Sequence, residues 1–229
     1  AVALIPGVAL PWSNGNNNGN GFGTHDWVVK EGNDLALEKG ATWLDLNTAL
    51  RACDDPDTVL HDFYYHVYDI WGSTYGNAPK KVASNMTAAK KALQKGDTRA
   101  ASRYLGLAAH YYADICNPLH TDQTKAEDKI HSRYEQAAQK YTDERDENDT
   151  WVTGSAKLIS NPSSATKTAA KAAHKDYKTL VAQYSKYGFN SKVKTITKRS
   201  LNRAAVGVGG LILMLDQYAP TESSPSPSP

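Results

Sequence analysis

The chain predicts an all-α fold of one domain, and three observations carry that expectation. Apolar residues recur at helical spacing in one segment after another, and no strand-type alternation persists anywhere. The 229 residues, 40% hydrophobic and 22% charged, are enough for one sizeable core. Gly and Pro gather near the two ends, which excludes a fibrous or low-complexity chain. Lys plus Arg is 26 and Asp plus Glu is 24, so the net charge of +2 leaves little excess to hold a nucleic-acid backbone by charge alone. No apolar run reaches the roughly eighteen residues of a membrane span.

Each element has its own signal. Residues 1–11, AVALIPGVALP, form a short apolar run with Pro and small residues, read as a signal-peptide remnant or pro-segment of a secreted protein. The Gly/Asn stretch after it suits neither helix nor strand interior. Thr24 is the expected N-cap of a helix running to about residue 39. Residues 42–53 place Trp43, Leu44, Leu46 and Leu50 in loose helical spacing, and Asp54-Asp55-Pro56-Asp57 breaks that helix. Residues 60–71 hold seven aromatics or histidines, and a Gly/Pro-rich loop leads on to about residue 80. Helical signal is strong from residue 83, with Asp97 or Thr98 capping a second helix over 100–115 to make a hairpin that Pro118 stops. Further helices are expected over 130–144, 165–185 and 198–218. In the last of these, Gly207 and the Gly209-Gly210 pair let a neighbouring helix approach closely. Residues 220–229, rich in Ser and Pro, read as an extended linker or tail.

The chemistry concentrates in residues 105–135. His110 and Asp114 are four apart, as are His131 and Glu135, so on a helix each pair shares one face with Cβ atoms ~5–6 Å apart. That spacing suits two ligands on one metal ion. His120 follows the Pro118 break, where a loop can turn it back toward the same point. Imidazole and carboxylate donors together suit Zn²⁺ and similar ions. The alternative is a set of capping or salt-bridging surface residues. Cys53 and Cys116 are too few for a disulfide scaffold or a four-thiolate zinc site.

Written out, the stretch is His110-Tyr111-Tyr112-Ala113-Asp114, Asn117-Pro118-Leu119-His120 and His131-Ser132-Arg133-Tyr134-Glu135. It resembles the signature of the bacterial zinc-dependent phospholipases C. Upstream, Trp12-Ser13 with His25 thirteen residues later, and His66 preceded by Asp54, match further motifs of that family. The resemblance covers residues 12–219, read as the catalytic domain, and implies a compact helical bundle of the zinc-dependent phospholipase C or zinc nuclease type. It implies three zinc ions. Asp54, His66, His110 and Asp114 would hold one, and His120, His131 and Glu135 the second. His25, a shared Asp114 and the main-chain nitrogen and oxygen of Trp12 would hold the third. A main-chain amine ligates only as a free terminus, so either processing exposes Trp12, which is the expectation, or the third ion is incompletely held in this chain. Asp54 is the implied general base, with Asp55 beside it as the alternative.

The resemblance further implies a secreted hydrolase that cleaves phospholipids to diacylglycerol and a phosphorylated headgroup by zinc-activated water. Its substrate would lie at a membrane or micelle surface, with no stable insertion, no nucleic-acid partner and a monomeric chain. Choline-preferring members carry an acid three residues after the Trp, an aromatic after the metal-binding Asp and a Phe three before the metal-binding His. Here these positions are Gly15, Asp55 and Phe63, so only Phe63 keeps the pattern, and Asp55 and Phe63 are the expected headgroup contacts. If Asp54 and Asp114 converge, Cys53 and Cys116 come close enough for one disulfide, provided their Cα atoms lie within about 7 Å. Trp71, in the 68–75 loop, is a candidate interfacial residue but is expected to pack on the core. His174 is expected to be solvated, and His61 to have a surface role. A single-strand-specific zinc nuclease and a non-catalytic, zinc-stabilised helical binding domain are the competing functions.

Overall fold

The computed structural model describes Trp12, Asn14 and residues 21–71, 75–122, 124–142 and 151–219. Residues 1–11, Ser13, Gly15 and the 220–229 tail lie outside the described residues. Among those described, every regular element is helical and no helix is long and apolar enough to cross a membrane.

Helix α1 spans Thr24–Leu37. Gly23, not Thr24, is its N-cap: the Gly23 N–H donates to the Asp26 carboxylate at 2.8 Å, and the Thr24 hydroxyl instead meets that of Thr142. Helix α2 covers Leu46–Cys53, four residues shorter at its start than the apolar spacing suggests. Asp45 sets that start, since its carboxylate accepts from both the Thr48 N–H and the Thr48 hydroxyl. The acidic Pro-containing stretch does not break the coil outright. Asp54 ends α2, then Pro56–Leu60 winds a wide π-helical turn that closes at His61, whose φ of 48° is left-handed. A 3₁₀ turn, Phe63–Tyr65, follows.

The hairpin forms as expected, from α3 (Ala78–Leu93) and α4 (Thr98–Cys116), with the Asp97 carboxylate accepting from the Ala100 N–H. Asn117 turns extended, and Pro118–His120 makes one 3₁₀ turn. Short α5 (Lys125–Asp128) leads into α6 (His131–Gln139). The single helix expected over 165–185 is two, α7 (Pro162–His174) and α8 (Tyr177–Tyr187), and Arg199 holds the Asp176 carboxylate at their junction. Helix α9 runs Ser191–Asp216, two turns earlier than expected, started by Asn190, which accepts from Lys192 and Val193 N–H groups.

Helix α4 is the axis of the molecule. It packs against α2, α3, α7 and α9, and every residue from Leu105 to Cys116 is buried. Two glycines permit that density. A Cβ on Gly106 would stand 2.3 Å from the Ala49 carbonyl oxygen of α2, and one on Gly207 of α9 would stand 2.1 Å from the Tyr112 ring of α4. The polar side chains on this helix are therefore sealed in the core, where only partners or a cation can compensate their desolvation.

Candidate metal centre

Helix α4 presents His110 and Asp114 one turn apart on its inner face, both fully buried. Around Asp114 gather the side chains of three other segments. His66, from the turn after the 3₁₀ segment, places Nδ1 2.9 Å from Asp114 Oδ2. His110 Nε2 is 3.3 Å from the same oxygen and 3.2 Å from His66 Nδ1. His25 of α1 stacks on the His110 ring at 3.8 Å and puts Nε2 3.5 Å from Asp114 Oδ1. The fourth donor is Asp57, whose Oδ1 is 3.6 Å from His66 and 3.8 Å from His110.

Asp57 replaces Asp54, which the sequence offered for this position. The wide turn after α2 changes the angular register, so Asp57, one turn on, faces His66 and His110. Asp54 instead groups with Asp26 and Cys53. Asn14 completes the arrangement by donating to Asp57 Oδ2 at 2.8 Å, which leaves Oδ1 directed at the imidazoles. Asp55 faces another way: its carboxylate is held by Arg103 of α4 at 2.7 Å. Phe63 does border the group, its ring 5.6 Å from that of His66.

The second set lies beyond Asp114. His120 Nε2, His131 Nε2 and Glu135 Oε1 sit 3.0–3.1 Å from one another. The outer nitrogens of both imidazoles are already engaged. His120 Nδ1–H donates to the His66 carbonyl at 2.7 Å and His131 Nδ1 meets the Glu127 carboxylate, while Asn117 donates to the inner Oε1 of Glu135 at 2.9 Å. His110 is fixed likewise by the Cys53 carbonyl on Nδ1. Each imidazole that bonds outward through Nδ1–H turns a bare Nε2 lone pair inward. Lone pairs facing lone pairs at 3 Å repel unless a cation stands between them.

The electrostatics favour positive charge at the same point. Burial alone would lower His66, yet Asp114, Asp62 and Asp57 push it up to about 10. Burial also opposes the rise of His131, which Glu135 and Glu127 carry to about 10. Burial and the neighbouring His110 hold His25 well below the ordinary range. Asp62, 3.6 Å behind His66, is disfavoured by burial but lowered to about 2 through His66, Lys81 and Tyr111. Both ring nitrogens of His25, Asp57 Oδ1, both Asp114 oxygens and Glu135 Oε2 are buried without a hydrogen-bond partner among the described residues. A donor set of imidazoles and carboxylates left unsatisfied in this way fits zinc.

Trp12 is anchored beside both sets. Its indole N–H donates to the Ala113 carbonyl at 3.0 Å, one residue before Asp114, and its ring meets Tyr134, one before Glu135, at 5.8 Å. The two cysteines are not bonded. Both are buried free thiols, Cys53 donating to the Leu50 carbonyl, and burial pushes Cys116 up to about 12.

Sequence reasoning missed Asp57, Asn14, Asp62 and Glu127. Asp62 and Glu127 each lie four residues before a histidine of the set, the one signal that could have marked them.

Residues 16–199 match the family described as zinc dependent phospholipase C, and the chain belongs to that family. A stretch of 94 residues is 32% identical to phospholipase C of Clostridium novyi, covering 39% of this chain and 23% of that protein, so the match spans about a quarter of the curated relative. The fold is similar to the alpha-toxin of Clostridium absonum, with a TM-score of 0.65 and 21% identity over 91% of this chain and 67% of that one. It is similar also to the alpha-toxin of an avian Clostridium perfringens strain, with a TM-score of 0.65 and 18% identity over 92% of this chain and 67% of that one.

Proposed function

We propose that this protein is a secreted zinc-dependent phospholipase C that hydrolyses phospholipids to diacylglycerol and a phosphorylated headgroup. The observation that carries the reading is the convergence of two buried sets of bare donors on either side of Asp114. In this reading Asp57, His66, His110 and Asp114 hold one ion, and His120, His131 and Glu135 a second. His25, Asp114 and a Trp12 terminus freed by processing hold a third, for which the indole anchor beside Ala113 is the support. Bound zinc would supply Lewis-acid polarisation of the phosphodiester and a lowered pKa for water.

The remaining chemistry belongs to the chain. Asp57 keeps one oxygen on Asn14 and the other toward the site, which suits it to take the proton of the attacking water. The water oxygen bonds to phosphorus as the bond from phosphorus to the glycerol oxygen breaks; that oxygen takes a proton from solvent water, and the proton held by Asp57 returns to solvent. Asp62 and Glu127 orient His66 and His131 from behind. Phe63 borders the site as a ring against which a cationic headgroup could rest.

The test uses protein trimmed to begin at Trp12. Diacylglycerol release from mixed phospholipid micelles is followed with zinc and then with chelator, beside a single-stranded nucleic-acid control. Chelator-sensitive diacylglycerol with intact nucleic acid is expected, and His120→Ala is expected to abolish it while leaving helical content nearly unchanged. A degraded strand without lipid product would overturn the reading in favour of a nuclease. Silence on both would favour a binding domain.

A further inference from the structure

Trp71 does not pack on the core. It is 73% exposed, whereas the other four tryptophans are buried at 8% or less. Its polar atoms are nonetheless occupied from inside: the main-chain N–H donates to Asp69 at 2.8 Å, and the indole N–H donates to His174 Nε2 at 3.2 Å. What remains toward solvent is apolar ring.

His174 is not solvated but is a fixed post. The Thr121 hydroxyl spends its proton on the Pro118 carbonyl at 2.6 Å, so it accepts from His174 Nδ1–H at 3.1 Å. That tautomer leaves Nε2 as the acceptor the Trp71 indole requires. The imidazole also stacks on Tyr177, whose hydroxyl meets that of Thr124. Thr121 adjoins His120, and the 68–70 segment bonds to this turn through Tyr68 N–H to the His120 carbonyl and Ile70 N–H to the Thr121 carbonyl. The exposed indole is thereby tied, through His174, to the turn that carries a candidate metal ligand.

Charge lies beside it. Lys171 is one turn before His174 on the same side of α7, Lys167 is a turn earlier, and Lys175 and Lys178 flank the α7–α8 junction. All four are exposed and none is in an ion pair among the described residues. The nearby Asp176 is already matched by Arg199, and Asp69 is used by the Trp71 main chain. Trp prefers the headgroup level of a bilayer, and lysines near the surface are drawn to anionic lipid.

We propose that Trp71, held by His174, and the lysines of α7 and the α7–α8 junction form a docking surface for a phospholipid bilayer containing anionic lipid. The surface sets the neighbouring metal centre against its aggregated substrate. This rests on the phospholipase reading for its purpose but not for its test.

The full chain is mixed rapidly with phosphatidylcholine vesicles, with and without phosphatidylglycerol, and tryptophan emission is recorded before turnover alters the lipid. Because the other tryptophans are buried, a blue shift reports Trp71. The shift is expected mainly with phosphatidylglycerol. Trp71→Ala should abolish it, and Trp71→Ala and the Lys171→Glu/Lys175→Glu pair should each weaken vesicle binding about ten-fold. His174→Gln, which keeps an acceptor, should retain more binding than His174→Ala. All these variants should turn over a dissolved short-chain phospholipid as the parent does. Unchanged vesicle binding in Trp71→Ala or in the lysine pair would overturn the proposal, as would equal binding to both vesicles. Loss of dissolved-substrate turnover in Trp71→Ala would also overturn it, by placing that residue in the site itself. A parent protein that binds vesicles but never hydrolyses the dissolved lipid would overturn the phospholipase reading and leave the docking surface standing.

Discussion

Asp54 and Asp57 are three residues apart and chemically identical, yet their surroundings give them opposite duties. Asp57 has imidazoles in front of it and an amide behind; Asp54 has Asp26 near it and an Oδ1 without a partner among the described residues. Asp57→Asn is expected to lower turnover by about 10²–10³-fold, since it removes both an anionic ligand and the proton acceptor. Asn14→Ala should cost about ten-fold through lost orientation alone, and Asp54→Asn only a few-fold or less. Steady-state rates on micellar lipid check all three, and a dead Asp54→Asn beside an active Asp57→Asn would reverse the assignment. Asp54 predicts a pH effect as well. Burial first, then Asp26, Asp57 and Asp55, raise its pKa to about 8, while an unfolded chain releases that proton near 4. Between these values the folded state binds the extra proton, so stability is greatest at the acid end and declines as pH rises toward 8. In chelator-treated protein, melting temperatures from pH 5 to pH 8 should fall less steeply for Asp54→Asn than for the parent; parallel curves would refute the effect.

The elements show what could be read in advance and what could not. The pairs His110/Asp114 and His131/Glu135 were legible because a regular helix converts a spacing of four into one face, and both helices are regular there. Asp57 was not legible because a π-helical turn changes the residues per turn, and Pro-containing acidic sequence does not announce it. The division of α7 from α8 was hidden for a different reason. Lys175 and Asp176 are no helix breakers, and the contact that marks the junction, Arg199 on Asp176, comes from far along the chain. Trp71 and His174 were each misjudged alone, because their positions depend on each other and on Thr121. Close packing around α4 gives a sharper forecast. Gly106→Ala sets a methyl 2.3 Å from a main-chain oxygen of α2, which no rotamer can relieve. A loss of about 2–3 kcal/mol, or roughly 5–10 °C in Tm, is expected by thermal circular dichroism. An unchanged Tm would mean that α2 and α4 can move apart freely.

On the scale of the whole molecule, the candidate metal donors come from six segments spread along the chain from residue 25 to residue 135. His25 is on α1, Asp57 on the wide turn, His66 beyond the 3₁₀ turn, His110 and Asp114 on α4, His120 after Pro118, and His131 and Glu135 on α6. Cations bound at this point would join segments that otherwise contribute lone pairs and negative charge to one buried volume. Removing them leaves orphaned donors that hydrophobic packing must hold together alone, at a cost for each unpaired buried group. An ion present at a thousand times its dissociation constant adds about 4 kcal/mol to stability, and in a chain of this size each kcal/mol moves Tm by about 2–4 °C. Chelation is therefore expected to lower Tm by about 10 °C or more. Added zinc should restore it, and Glu135→Gln should bind fewer ions than the parent by atomic absorption after dialysis. The variant should also respond less to the chelator, because part of the cross-link is already gone. A melting curve indifferent to chelator would show that the core alone fixes these side chains, and would remove the ions from any role in holding the fold.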